Sequence, residues 1–137
     1  MNGGMELYLH MPFCVRKCAY CDFLSFPTDQ ETQNLYTRRL REDIDAMGKK
    51  YGDIPVDTIF IGGGTPSVPD SALIVGIMEH VRKAFHVAEG AEISMEANPG
   101  TVTREKLTDY RRAGINRLSF GLQSANDREL KLLGRIH

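Results

Sequence analysis

Four short stretches rich in apolar and β-branched residues are spaced along the chain, and their pattern predicts β-strands. They cover residues 6–10, 56–61, 92–97 and 117–122. In the third stretch Ile93 and Met95 point to one face and Glu96 to the other, as expected of a strand. The fourth alternates in the same way, which places Gln123 at its carboxyl end on the polar side.

Segments with helical periodicity lie between these strands. The first places four large residues on one face, Tyr36, Leu40, Ile44 and Met47. The second begins at about Asp70, a candidate N-cap, and stacks five apolar residues on one side, Ile74, Ile77, Met78, Val81 and Phe85.

The third helix is predicted from about Thr103 to Arg112 and ends at Gly114. Its start resembles a capping box, except that Lys106 stands where that motif has glutamate. A fourth helix is expected to begin near Asn126 and to contain Leu130 and Leu133.

The predicted order therefore alternates strand and helix four times, with crossovers long enough for parallel strands. This indicates an α/β fold, either a doubly wound sheet or part of a TIM-like (β/α) barrel. In both architectures ligands bind at the carboxyl ends of the strands. A complete barrel takes about 250 residues, so we expect residues 1–137 to be the N-terminal portion of a larger, truncated barrel.

Composition and charge argue against several classes of protein, namely those that bind nucleic acid, span a membrane or are secreted. Seventeen basic residues balance eighteen acidic ones, and no basic stripe interleaves with aromatic residues, so we expect no nucleic-acid partner. No apolar run approaches the roughly 20 residues that span a bilayer. The first residues do not resemble a secretory signal, so we expect a cytoplasmic protein.

Three cysteines, Cys14, Cys18 and Cys21, form a tight group directly after the first strand. An odd number at this spacing argues against a disulfide framework and indicates metal binding or redox chemistry. Three thiolates can hold an iron–sulfur cluster and leave one iron open to a small ligand. The alternatives are a zinc site that adds His10, and three unrelated reduced thiols.

A glycine-rich segment, Gly62-Gly63-Gly64-Thr65-Pro66-Ser67, follows the second strand. We expect its glycines to let the backbone approach a ligand and to expose N–H groups. It matches neither a Walker A loop nor a dinucleotide fingerprint. Glu96, at the end of the third strand, could accept hydrogen bonds from ribose hydroxyls, while Asn98-Pro99-Gly100 is most simply a turn.

Together these motifs resemble the radical SAM superfamily, whose members bind a [4Fe–4S] cluster through a Cys-x3-Cys-x2-Cys loop with an aromatic residue before the third cysteine. The order of the motifs, from Tyr8 to His137, is similar to that of the oxygen-independent coproporphyrinogen III oxidase-like branch. The resemblance implies a radical SAM core whose remaining barrel and C-terminal domain are absent here.

The resemblance also implies the cofactors and the residues that hold them. Cys14, Cys18 and Cys21 would ligate the cluster, and Tyr20 would lie beside it. S-adenosylmethionine (SAM) would occupy the open iron, with its other contacts made by seven residues: Tyr8, Gly63, Gly64, Thr65, Glu96, Gln123 and Arg135. No catalytic residue is assigned, because the cofactor chemistry supplies the radical.

Within this branch, the coproporphyrinogen oxidases carry a further cysteine two positions after the third ligand. Here Asp22 and Phe23 follow Cys21, which resembles the HemW group of haem chaperones. That resemblance implies haem handling, with haem bound in a longer parent, and an alternative function in the oxidation of coproporphyrinogen. The implied partners are haem or a porphyrinogen, an electron donor such as flavodoxin or ferredoxin, and a membrane-associated haem acceptor.

A half-barrel has a physical consequence of its own. Its first and fourth strands are left as unpaired edges, and its interior is open to solvent. We expect that interior to be apolar and the isolated chain to be poorly soluble or oligomeric.

Overall fold

The computed structural model describes residues 3–14, 26–27, 29–121, 126 and 128. Four parallel strands form the main sheet: β1 (Met5–Met11), β4 (Val56–Gly63), β5 (Val87–Ala97) and β6 (Arg117–Phe120), in that spatial order. All four strands were predicted from the sequence. Two short strands, β2 (Phe13–Cys14) and β3 (Phe26–Pro27), form a separate parallel pair that was not.

Three helices connect these strands, α1 (Gln30–Tyr51), α2 (Ser71–Ala84) and α3 (Arg104–Ala113). Each strand of the main sheet lies beside the previous one, so every crossover moves in the same direction. Side chains of all three helices join a single core on one face of the sheet. A doubly wound sheet reverses direction and carries helices on both faces, so this arrangement is that of a partial (β/α) barrel.

The helix boundaries follow from capping. Asp29, Asp70 and Thr103 are the N-caps, and each side chain accepts a hydrogen bond from a backbone N–H in the first turn of its helix. Gly114 ends α3 in a left-handed conformation. These findings confirm the predicted starts of α2 and α3. At the predicted fourth helix, Asn126 Oδ1 accepts from the N–H of Arg128 at 2.9 Å, and Leu130 and Leu133 lie outside the described residues.

The core lies between the helices and the outward face of the sheet. Its fully buried members include Ile59 and Ile61 of β4, Met95 of β5, and Ile74 and Ile77 of α2. All five residues predicted for the inner side of α2 and its end are buried. In α1 the prediction is wrong at one position, because Met47 is 50% exposed while Thr37 is buried.

The opposite face of the sheet corresponds to a barrel interior, and it is largely polar. The residues on this face form rows of neighbours across the strands. Between β1 and β4 the neighbouring pairs are Glu6 and Thr58, Tyr8 and Phe60, and His10 and Gly62. Glu92, Ser94 and Glu96 continue the same rows on β5. The expectation of an apolar interior is therefore wrong. Apart from the Tyr8 and Phe60 rings, the positions named here carry a carboxylate, a hydroxyl or an imidazole, or have no side chain.

Strand β5 starts five residues earlier than predicted. Its pairing with β4 jumps from Val56–Val87 to Thr58–Glu92, and Gly90 within the irregular segment has a φ of 81°. The exposed pair Glu89 and Gly90 breaks the alternation of apolar residues on which the prediction depended.

Candidate functional site

The carboxyl ends of β1, β4 and β5 bring three candidate residues into one row. His10 is paired with Gly62, and the next position of β5 in the same register is Glu96, whose Oε2 lies 3.3 Å from the N–H of Gly63. The parallel arrangement explains this, since carboxyl ends of neighbouring strands meet at one edge. These described positions thus meet at the carboxyl edge of the sheet, where ligands are expected to bind in this architecture.

Glu96 is the half-buried carboxylate of this edge. Burial raises the pKa of its side chain, while the Gly63 N–H and the nearby His10 oppose that rise. Within the described part of the chain its second oxygen, Oε1, has no hydrogen-bond partner. Among the described residues, one carboxylate oxygen is thus bound to Gly63, and the other is left to accept from a donor such as a hydroxyl group.

Tyr8 borders this carboxylate on the same face of the sheet. Its hydroxyl lies 3.2 Å from Nδ1 of His10, and its ring stacks on that of Phe60 with centroids 6.0 Å apart. Burial and the negative charge of Glu96 raise the pKa of the Tyr8 hydroxyl. Tyr8 is nevertheless 58% exposed, so its ring and hydroxyl are accessible to a ligand above the sheet.

The glycine-rich segment, residues 62–67, packs against β1 and the residues that follow it. Gly63 has a φ of 117°, and a Cβ atom there would lie 2.7 Å from the His10 ring. A Cβ at Gly64 would lie 2.4 Å from the carbonyl oxygen of Phe13. Both positions therefore require glycine for the close approach of the segment to β1 and to the residues that follow it.

The N–H groups of this segment are bonded to protein acceptors. That of Gly64 donates to the Met11 carbonyl at 2.8 Å, that of Thr65 to the Phe13 carbonyl, and that of Gly63 to Glu96. The expectation of exposed N–H groups is therefore wrong at Gly63 and Gly64. The N–H of Gly64 faces the backbone of β1, and that of Gly63 faces the Glu96 carboxylate on β5. The segment consequently ties the end of β4 to the residues that lead into the cysteine loop.

The side chain of Thr65 belongs to a polar network that sequence reasoning missed. Asn98 Nδ2 donates to Thr65 Oγ1 at 2.9 Å, and the Asn98 N–H donates to Ser67 Oγ at 3.3 Å. From the sequence alone Asn98 is interpreted as part of a turn, because an Asn-Pro-Gly segment is common in turns. Its amide does more, since it joins the segment after β4 to the segment after β5.

Cys14 ends the short strand β2, where it is paired with Pro27 of β3. The segment that carries Cys18 and Cys21 thus begins and ends at this two-stranded ladder. Cys18, Cys21, Tyr20, Gln123 and Arg135 lie outside the described residues, as does the side chain of Cys14. Across the residues that are described, no group of three or more His, Cys, Asp or Glu side chains is arranged to hold a metal ion.

Comparisons with known proteins identify the family. The sequence model of the radical SAM superfamily matches residues 8–137. The chain belongs to the radical SAM superfamily. It is 45% identical over 139 residues to the haem chaperone HemW of Escherichia coli (strain K12), an alignment that covers 97% of this chain and 35% of that protein.

A mitochondrial relative extends the comparison beyond bacteria. Radical S-adenosyl methionine domain-containing protein 1 of Danio rerio is 34% identical over 132 residues, which cover 96% of this chain and 30% of the relative. The chain therefore spans about a third of the length of the curated relatives it matches.

The solved structures agree with this family. Coproporphyrinogen III oxidase (HemN) from Escherichia coli, a radical SAM enzyme, superposes with a TM-score of 0.92 at 31% identity, covering 98% of this chain and 31% of HemN. The archaeal Elp3 of Methanocaldococcus infernus superposes with a TM-score of 0.52 at 14% identity, which supports the fold alone. The fold is thus the partial radical SAM barrel that the sequence predicted.

Proposed function

We propose that the chain binds a [4Fe–4S] cluster through Cys14, Cys18 and Cys21 and binds SAM at the carboxyl edge of its sheet. The observation that carries this proposal is the match to the radical SAM superfamily across residues 8–137. The described residues fit such a ligand, because Glu96 has an oxygen available and the accessible Tyr8 ring lies beside it. In radical SAM proteins, the reduced cluster supplies one electron to the sulfonium of SAM.

The residues of this chain would then bind and orient. Glu96 would accept hydrogen bonds from ribose hydroxyls. Because burial raises the pKa of this side chain, hydrogen bonds from a polar ligand would stabilise its ionised form. Tyr8 would border the cofactor from β1, while Gly63, Gly64 and Thr65 would shape the wall on β4. We propose that Tyr20, Gln123 and Arg135 complete the site from segments outside the described residues.

Anaerobic reconstitution tests the cluster. We expect about four irons and four sulfides per chain, with absorbance near 400 nm. The variant Cys18→Ser should lose this absorbance, because a thiolate ligand is removed. One zinc per chain without sulfide would overturn the assignment and favour the alternative site that includes His10.

For the wider role, we propose a haem chaperone in the cytoplasm, where thiols stay reduced. The similarity to proteins named haem chaperone HemW supports it, at 45% and 41% identity. Asp22 and Phe23 after the third cysteine support it too. An electron donor such as flavodoxin or ferredoxin and a membrane-associated haem acceptor protein belong to the same proposal.

The second candidate is oxidation of coproporphyrinogen III, which decarboxylates propionate side chains to vinyl groups. It is favoured by the TM-score of 0.92 to HemN. Haem titration and coproporphyrinogen turnover separate the two candidates. Both are measured anaerobically with the reconstituted full-length parent in the presence of SAM and a reductant. Haem binding without turnover supports the chaperone, whereas robust turnover without haem affinity supports the oxidase.

A further inference from the structure

A buried polar network links three elements behind the candidate SAM site. It joins the segment after β4, the 3-10 turn Pro99–Thr101 after β5, and helix α3. Ser67, at its centre, has no exposed surface, and Thr65 is 5% exposed. Polar groups this deeply buried are costly unless each finds a partner.

Lys106 supplies partners for two backbone carbonyls in this network. Its Nζ donates to Ser67 O at 2.6 Å and to Thr101 O at 3.1 Å. Burial lowers the pKa of this ammonium group, which agrees with its inward position. Lys106 is the third residue of α3, the position at which a capping box has glutamate. A glutamate would reach back to the N-cap, whereas this lysine reaches the carbonyls of the two loops.

The same network extends from Lys106 toward the cysteine loop. Thr101 Oγ1 donates to the Asn98 carbonyl at 2.8 Å, and Asn98 in turn donates to Thr65. The N–H of Thr65 then donates to the carbonyl of Phe13, the residue before Cys14. A chain of hydrogen bonds therefore runs from α3 to the backbone at which the first candidate cluster ligand is placed.

We propose that Lys106 is a positioning residue, whose ammonium group clamps the segment after β4 to the turn after β5 and so holds the SAM-binding edge in register with Cys14. This inference rests on the proposed function. The positioned surface lies between Glu96, Gly63 and Thr65. Within the described ranges, the hydrogen bonds of Lys106 Nζ go to two backbone carbonyls, and Lys106 is not among the candidate SAM contacts. Displacement of this edge weakens a bound cofactor, because binding depends on geometry held by supporting contacts.

The test compares Lys106→Met and Lys106→Arg with Lys83→Met, which changes an exposed lysine near the end of α2. Hydrogen exchange measures the clamp without any cofactor. In Lys106→Met we expect about tenfold faster exchange across residues 62–68, because the Ser67 carbonyl loses a hydrogen bond from a charged donor. Exchange across residues 77–82 of α2 should stay unchanged, and Lys106→Arg should restore protection.

The second readout is SAM affinity, measured as the change that SAM causes in the electron paramagnetic resonance spectrum of the reduced, reconstituted protein. We expect about tenfold weaker binding in Lys106→Met, recovery in Lys106→Arg, and no change in Lys83→Met. Thr101→Val, which removes a hydroxyl of the network, should shift both readouts the same way. It serves as the test if Lys106→Met fails to fold.

The outcomes separate the two proposals. Unchanged exchange across 62–68 in Lys106→Met overturns the clamp. Faster exchange with unchanged SAM affinity shows a purely structural lysine and overturns the positioning role. If the unmodified protein assembles a cluster but does not bind SAM, the proposed function fails and the positioning role falls with it, while the exchange data still decide whether the clamp exists.

Discussion

At the scale of single residues, Glu96 lowers the stability of the folded protein at neutral pH. Its carboxyl group is half-buried with a raised pKa, so ionisation costs the folded state. A group whose folded pKa is raised contributes stability that is full below its unfolded pKa, about 4.3 for glutamate, and is lost as the pH rises through the folded value. The folded protein therefore carries an electrostatic cost at neutral pH that a neutral side chain would avoid.

We predict that Glu96→Gln raises the midpoint of thermal unfolding at pH 7, and that this gain disappears as the pH is lowered to about 4. The same variant should bind SAM more weakly, because a ligand hydroxyl loses a charged acceptor. Circular dichroism melts at several pH values check the first effect. Glu89→Gln, an exposed position on the same strand, is the control and should change neither property.

Gly63 requires glycine for two physical reasons that can be separated. Its φ of 117° strains any other residue, and a Cβ atom would lie 2.7 Å from the His10 ring. Gly90 has a φ of 81° but open space around its Cβ position. A substitution there therefore measures the cost of backbone strain without a steric contact.

We predict that Gly90→Ala lowers the free energy of unfolding by about 1–2 kcal/mol and that Gly63→Ala lowers it further. The difference between the two reports mainly the contacts that a Cβ at Gly63 would make with His10 and with the Met11 carbonyl oxygen. Urea denaturation of both variants provides the comparison. Equal losses would show that the ring moves aside at little cost.

At the scale of elements, the pairing of β5 with β6 depends on one asparagine just before β6. Asn116 Oδ1 accepts from the Ile93 N–H and its Nδ2 donates to the Ala91 carbonyl, both at 2.9 Å. Its own N–H donates to Ile93 O. The side chain thus acts as an extra rung of the ladder before β6 begins.

We predict that Asn116→Ala lowers the free energy of unfolding by about 1 kcal/mol, because a part-buried backbone donor and acceptor lose their partners. The exchange of the Ile93 amide should accelerate, as measured by hydrogen exchange with mass spectrometry or NMR. Asn34→Ala, at an exposed position of α1, should leave stability nearly unchanged. No acceleration at Ile93 would mean that water replaces the side chain there.

At the scale of the whole molecule, β1 and β6 are the outer strands of the described sheet. Open strand edges present unpaired backbone groups that favour association. None of the helices in the described ranges combines the length and the apolar character needed to cross a membrane.

The inner face of the sheet is polar, so we expect copies of the chain to associate by pairing of strand edges and not by stacking of apolar faces.

We therefore predict that the 137-residue chain associates with increasing concentration, and that infrared spectra of the associated form show intermolecular β-structure. Size-exclusion chromatography with light scattering measures the mass over a concentration series. A monodisperse monomer that melts cooperatively would contradict this prediction.

Much of the fold was predictable because local patterns and backbone geometry agree. The alternation in the strands, the N-caps Asp70 and Thr103, and the apolar stripe of α2 all depend on residues close in sequence. Met47 and the start of β5 were not predictable, because burial at the first and strand pairing at the second depend on distant neighbours.

The sequence by itself determined the family, the order of the strands along the chain and the types of residue at the carboxyl edge. These depend only on which residues stand near one another in the sequence. Only the tertiary structure decided which partners those residues have. It directed the Gly64 N–H to β1, placed Glu96 beside the Gly63 N–H, and directed Lys106 into the loops. The physical reason is that a buried polar group bonds whatever partner the packed fold brings near it, and that partner lies far away in sequence.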